Sequence, residues 1–247
     1  MVVAYDGRPF HGFALQRGVP TVAGAMSAAL ERSLRHTVEL TCAGRTDAGV
    51  HAWGQVVSFD ARADADPAML QRSLNKALRP AVVVRRAEVA PPGFDARRQA
   101  VSRLYRYTIR NDPVGDPFTA GTAWHVARPL DLVSMRLACD AFVGEHDFSA
   151  FCRRPAPEAS LVRVVRRARW VRAEDSMLRF EIEASSFCHQ MVRSIVGTMV
   201  EVGLGRKRAG EMTSVLRSGS RSAAGQPAPP HGLCLWAVAY PGEGVLS

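Results

Sequence analysis

Gly44-Arg45-Thr46-Asp47-Ala48-Gly49-Val50-His51 is the stretch on which the reading of this chain turns. Two glycines bracket a charged run, so it reads as a loop and not as the interior of a helix or strand. Before it, Val38, Leu40 and Cys42 alternate with polar residues, the two-residue period of a strand. After it, Gln55 to Phe59 reads as another strand. Asp47 therefore projects from a loop at a strand end, a common place for a catalytic group. The plainer alternative is that Asp47-Ala48-Gly49 is a β-turn and nothing more. The loop contains no G-x-x-x-x-G-K-[ST] phosphate cradle. It also lacks the D-x-D spacing of a metal-assisted phosphoryl site.

Working outward, Val2 to Tyr5 reads as the end of a strand stopped by Asp6-Gly7. Thr21 is a good N-cap, and Val22, Met26, Ala29, Leu30 and Leu34 then recur at helical spacing. Pro67 to Leu78 reads as a helix with proline in its first turn, and Val82 to Val89 as a strand. Pro91-Pro92-Gly93 is a break, and a second unit begins near residue 100. There Ser102 to Arg110 reads as a strand, Leu130 to Val143 as a helix, and Arg153 to Ala159 as an exposed, basic loop. Val162 to Val171 and Leu178 to Ala184 form a hairpin, Phe187 to Val202 a helix, and Leu233 to Tyr240 a last strand. Arg217 to Pro230, rich in Ser, Gly, Ala and Pro, reads as a mobile connection. The order predicts an α+β chain of two α/β units with largely antiparallel sheets, spanning 1–100 and 101–247.

The chain has 247 residues and a net charge of +9, with arginines clustered at Arg97-Arg98, Arg153-Arg154 and Arg163 to Arg172. Such a surplus draws polyanions by counterion release and long-range steering, and its clustering favours a nucleic-acid face over mere solubility. The five cysteines are odd in number and include no C-x-x-C, so buried, reduced thiols are expected, without a disulfide framework or a zinc site. No basic leader opens the chain and no run of about 18 apolar residues interrupts it, so a cytoplasmic protein without a membrane span is expected.

Two further segments bear chemistry. On a strand, Tyr105 and Tyr107 share one face while Arg106 takes the other. Tyrosines beside arginines can stack bases and hold phosphates, or can simply pack in a core. Arg193 lies inside the apolar run Met191 to Gly197. A buried guanidinium needs a partner, and a carboxylate is the natural one, unless the side chain reaches out to solvent.

These segments fall in one order with several shorter ones: Tyr5-Asp6-Gly7, Gly54-Gln55-Val56-Val57, Phe94-Asp95-Ala96-Arg97, Gly144-Glu145-His146-Asp147-Phe148, His189-Gln190-Met191-Val192-Arg193, and Gly232-Leu233. Over nearly its whole length the chain resembles the tRNA pseudouridine synthase A family. The resemblance implies the pseudouridine synthase fold, two subdomains flanking a central basic RNA-binding cleft. It implies isomerisation of uridine to pseudouridine at positions 38, 39 and 40 of the tRNA anticodon stem-loop, by a homodimer and without a cofactor or metal. It gives Asp47 the place of the catalytic aspartate and Arg193 that of the basic residue paired with it. Tyr105 takes the place of the substrate-contacting tyrosine, and Arg45 that of the arginine that helps displace the target base. The chain departs from the family pattern at Phe13-Ala14-Leu15-Gln16 and Val22-Ala23-Gly24. Two other classes account for part of the sequence. A non-catalytic tRNA-binding module would explain the charge but not a carboxylate among cations. A methyltransferase would need a glycine-rich strand-to-helix turn, which is absent.

Overall fold

The computed structural model describes residues 1–154, 158–174 and 176–242, in two compact units. One is Met1–Arg103 together with the chain from Cys234 onward; the other is Leu104–Leu233. The last strand thus belongs with the first unit, whereas the sequence reading places it with the second. Pro155 to Pro157, the centre of the expected basic loop, lie outside the described residues.

The first unit begins β1 (Val2–Tyr5), α1 (Val22–Leu34), β2 (Thr41–Cys42), β3 (His51–Ser58), α2 (Pro67–Leu78) and β4 (Val82–Arg86). β1 lies antiparallel between β3 and β4, and β2 pairs antiparallel with β3. Both helices start where the sequence says they should. The Thr21 side chain accepts from Gly24 N, and Asp66 accepts from Ala68 N with Pro67 in the first turn. Leu30 and Leu74 are fully buried with Ala29, Val38 and Val84; burying one such leucine contributes about 1.5–3 kcal/mol. The alternation predicts Val38 in a strand; Val38 packs in this cluster, but the strand that forms is only Thr41–Cys42. Asn75 fastens α2 to β4 by donating to Val84 O at 2.9 Å and accepting from Val84 N at 2.7 Å.

The second unit holds β5 (Ser102–Arg110), β6 (Trp124–His125), α3 (Leu132–Ala138), β7 (Gly144–Asp147), β8 (Val162–Arg172), β9 (Met177–Ala184), α4 (Met191–Gly203) and α5 (Glu211–Ser218). Its strand order is β5-β9-β8-β7, with β6 parallel beside β5. β8 and β9 form the expected antiparallel hairpin. The expected helix over 130–143 is shorter, and tightens into a 3-10 turn at Cys139–Phe142. The next begins at Met191, not Phe187, because Gln190 has φ 65°, a left-handed conformation that no helix turn accepts. α4 is then buried on almost every side, and Trp170 Nε1 donates to Met199 Sδ.

Finally β10 (Leu233–Ala239) returns to the first unit and lies parallel to β3, Cys234 opposite His51. The chain is α+β, and its pairings are antiparallel apart from β10 on β3 and β6 on β5 among those described. No helix among the described residues is long and apolar enough to cross a membrane.

The cysteines need a correction. Cys152 and Cys188 form a disulfide across 36 residues of sequence, a pairing in space that no local spacing announces. Cys42 and Cys139 are buried thiols, as expected, and Cys234 is half-buried. Burial pushes Cys42 up to about 11 and Cys139 to about 12, so both stay protonated at neutral pH.

Candidate active site

The loop that carries Asp47 is held from several sides within the first unit. Ala43 N donates to Val56 O at 2.8 Å, and Ala43 O accepts from both Nε and Nη2 of Arg103. The same guanidinium also donates to Arg97 O and Ala100 O, so one buried arginine ties three carbonyls together. Gln55, fully buried on β3, grips Gly44 by both its backbone groups. Its Nε2 donates to Gly44 O at 2.6 Å, and its Oε1 accepts from Gly44 N at 3.3 Å.

The amide of Gln55 also donates to Tyr5 Oη at 3.4 Å, which leaves the tyrosine proton for Thr46 Oγ1, 2.8 Å away. Burial pushes the Tyr5 hydroxyl well above its ordinary range, so it remains a neutral link in this chain. Thr46 O then accepts from Phe13 N at 3.0 Å, Gly49 N donates to Phe10 O at 3.3 Å, and Val50 N closes the turn on Asp47 O at 3.1 Å.

Segment 10–13 can come this close because Gly12 has no side chain. Its φ is 96°, and a Cβ there would stand 2.8 Å from Thr46 O. Of the two glycines that bracket the loop, only Gly49 uses its freedom, with φ 75°. The result is a half-buried Asp47 on a backbone fixed immediately before and after it, with Arg45 exposed two residues away.

The other two sequence-derived residues belong to the second unit. Tyr105 is buried on β5, its ring edge-on to Phe187 with centroids 5.0 Å apart. Such an aromatic pair is worth about 0.5–1.5 kcal/mol beyond its burial. Arg193, half-buried in the first turn of α4, donates from Nε to Ala228 O at 2.7 Å. Ala228 N donates back to Arg193 O at 2.9 Å.

The stretch expected to be a mobile connection is therefore fastened at its C-terminal part. Gly225 N donates to Thr198 Oγ1 at 2.9 Å, and Tyr107 Oη donates to Pro229 O at 2.9 Å. Tyr107 is core, fully buried, and its hydroxyl is pushed far above its normal range by burial. Arg106 is bound, not poised for phosphate: Glu181 takes its Nε on one oxygen and Arg169 on the other.

Sequence reasoning gave no role to Tyr5, Gln55, Phe187 or Ala228, and counted Arg103 only among arginines that could hold phosphate, whereas it ties the loop. Gln55 carried a signal, since an amide amid the apolar run Val56-Val57 must be bonded if that strand is buried. The others had none beyond residue type. No group of His, Cys, Asp or Glu among the described residues could hold a metal ion.

Comparison with known proteins shows the family. The profile of the family described as tRNA pseudouridine synthase matches residues 1–97 and 138–241. The chain is 41% identical over 242 residues to a tRNA pseudouridine synthase A of Methylacidiphilum infernorum, covering 98% of this chain and 94% of that one. It is 44% identical over 247 residues to that of Frankia casuarinae, covering 99% and 90%. It is 38% identical over 239 residues to that of Pseudothermotoga lettingae, covering 97% and 98%.

Proposed function

The chain belongs to the tRNA pseudouridine synthase family, an isomerase acting on tRNA, and from that premise we propose that it converts uridines 38, 39 and 40 of the anticodon stem-loop with Asp47 as its catalytic carboxylate. The observation that carries the assignment is the loop itself. The family string Gly44 to His51 is present in full, and its backbone is bonded to β3, to Arg103 and to segment 10–13, so the chain on both sides of Asp47 is held in place. Fixed placement of a reacting group is a large part of what an enzyme contributes.

The reaction breaks the N1–C1′ bond, turns the uracil, joins C5 to C1′, and moves the C5 proton to solvent while N1 gains one. Atoms and electrons balance without oxidant, reductant or water, so in this reading no cofactor or metal takes part. Asp47 acts as nucleophile or as base; both routes need it ionised. Arg193 is assigned the task of keeping it so, since an opposite charge lowers a carboxyl pKa. Tyr105 supplies an aromatic surface for the detached base. Arg45, exposed on the same loop as Asp47, is assigned the space the base vacates; extruding a base costs a few kcal/mol. The resemblance supports these roles and also a cytoplasmic homodimer, which sedimentation at working concentration tests.

The central test is tritium release from 5-tritiated uridine in tRNA. Asp47→Asn should lower turnover at least about a thousand-fold, as removal of a reacting group does, while tRNA still binds. Turnover near wild type would end the assignment. Mapping pseudouridine in the product tRNA decides the positions.

A further inference from the structure

Apart from the groups assigned above, a cavity of about 320 Å³ opens in the second unit. Arg153, Arg154 and Arg221 line it together with Ser149, Cys152 and Gln190, and among the described residues none of its lining is acidic. Two of the side chains are held by hydrogen bonds. Arg154 donates to Ala159 O at 2.9 Å and to Ser149 Oγ at 3.2 Å, and Arg221 donates to Ser194 Oγ at 3.4 Å. Arg153 is fixed at its backbone, its N donating to His189 O at 3.0 Å. Asp147, behind the wall, is occupied in accepting from Ser149 N and Oγ.

Three arginines lining one small space suit a tetrahedral oxyanion, since a guanidinium offers planar, forked donors. Gln190 precedes the first turn of α4 and is part of the wall, so the positive end of a 13-residue helix with no side-chain cap adds to the field. Two bonds link the cavity wall to chain neighbours of groups assigned to chemistry. Ser194, which holds Arg221, follows Arg193, and Cys188, bonded to Cys152, follows Phe187 at the Tyr105 ring.

We propose that Arg153, Arg154 and Arg221 form a subsite for one backbone phosphodiester of the RNA next to the target uridine. The inference rests on the chain's acting on tRNA, but not on Asp47 being the catalytic group. A phosphate held here fixes the strand beside the nucleotide that leaves the stack, which phosphate contacts do without reading sequence.

The test is tRNA binding to wild type and to the double variant Arg153→Gln/Arg221→Gln across a salt series. For every phosphate that the variant no longer neutralises, the slope of log affinity against log salt should fall by about 0.7–0.9. In tRNA assembled from two halves, single methylphosphonate linkages are then placed around the target. One linkage should weaken binding to wild type several-fold and cost the variant nothing. An unchanged slope, or equal costs in both proteins at every linkage, overturns the proposal.

Should the variant fold poorly, phenylglyoxal labelling of wild type decides the same question. tRNA should protect these three arginines, and labelling that ignores tRNA refutes the site. Tight, arginine-dependent binding of inorganic phosphate alone, with RNA binding unaffected by the variant, would mean a free phosphate ligand and would also overturn it. None of these readouts needs turnover, so they stand apart from the Asp47→Asn assay.

Discussion

Arg193 and Ala228 hold each other twice: the guanidinium donates to the alanine carbonyl at 2.7 Å, and the alanine amide donates to the arginine carbonyl at 2.9 Å. The direction of a long, flexible cation is thereby set by a backbone segment 35 residues away in sequence. That segment in turn lies on α4 through Gly225 and Thr198 and under Tyr107 through Pro229.

Gly197 is where the segment touches the helix. A Cβ there would collide with Gln226 O, a backbone atom that cannot swing aside. Gly197→Ala should cost about 1–3 kcal/mol of stability, the usual penalty of overpacking, and should lower kcat as Arg193 loses its seat. Gly210→Ala, with nothing within 4 Å of its Cβ, is the control and should change neither melting temperature nor tritium release.

Gln55→Leu should strand both backbone groups of Gly44 and remove one donor to Tyr5 Oη. A buried polar group left unbonded costs about 1–3 kcal/mol, and here the cost falls on the loop that bears Asp47. We expect kcat to drop at least about tenfold, which is only about 1.4 kcal/mol of transition-state stabilisation, with tRNA affinity by filter binding nearly intact. Equal kcat in the two proteins would show that this frame does not govern the carboxylate.

Glu181 sets an acid limit on the second unit. Burial alone would raise its carboxyl, but Arg169 and Arg106 outweigh that and hold it below the usual glutamate range. A group whose folded pKa is depressed stabilises the fold above its unfolded value, about 4.3, and loses that contribution as pH falls through the folded value. Denaturant unfolding of wild type and Glu181→Gln should therefore differ by a constant amount from neutrality down to about pH 5, and converge in stronger acid. A gap that widens in acid would contradict the assignment.

The cysteine pair gives a direct chemical count. Alkylation of unfolded, unreduced protein should label Cys42, Cys139 and Cys234 and spare Cys152 and Cys188; prior reduction should expose all five. Reduction should also lower the melting temperature, since freeing a loop of this size typically costs about 2–4 kcal/mol.

What the sequence revealed was what local chemistry writes. α1 and α2 were legible because Thr21 and Pro67 mark their starts, and β5 because aromatic and basic residues alternate along it, an alternation the burial from Arg103 to Arg110 follows. β7 was missed because Gly144-Glu145-His146-Asp147 has no apolar period; it pairs by backbone alone. The fastening of residues 225–229 was missed for a related reason. Its composition is that of a loop, and its order comes from bonds to Arg193, Thr198 and Tyr107, all distant in sequence. Asp47 stood out by its neighbours, whereas Gln55 and Arg103, which hold its loop, act through carbonyls that any sequence would offer.

A loop tied at Ala43, Gly44, Thr46, Gly49 and Val50 cannot fold down over a substrate as a lid does. In the proposed reaction the pliant partner at this loop is the nucleic acid. In the proposed reaction its strand deforms to deliver one nucleoside to a loop that is already set. RNA that is stiff at that spot should be a poor substrate even when its sequence is right.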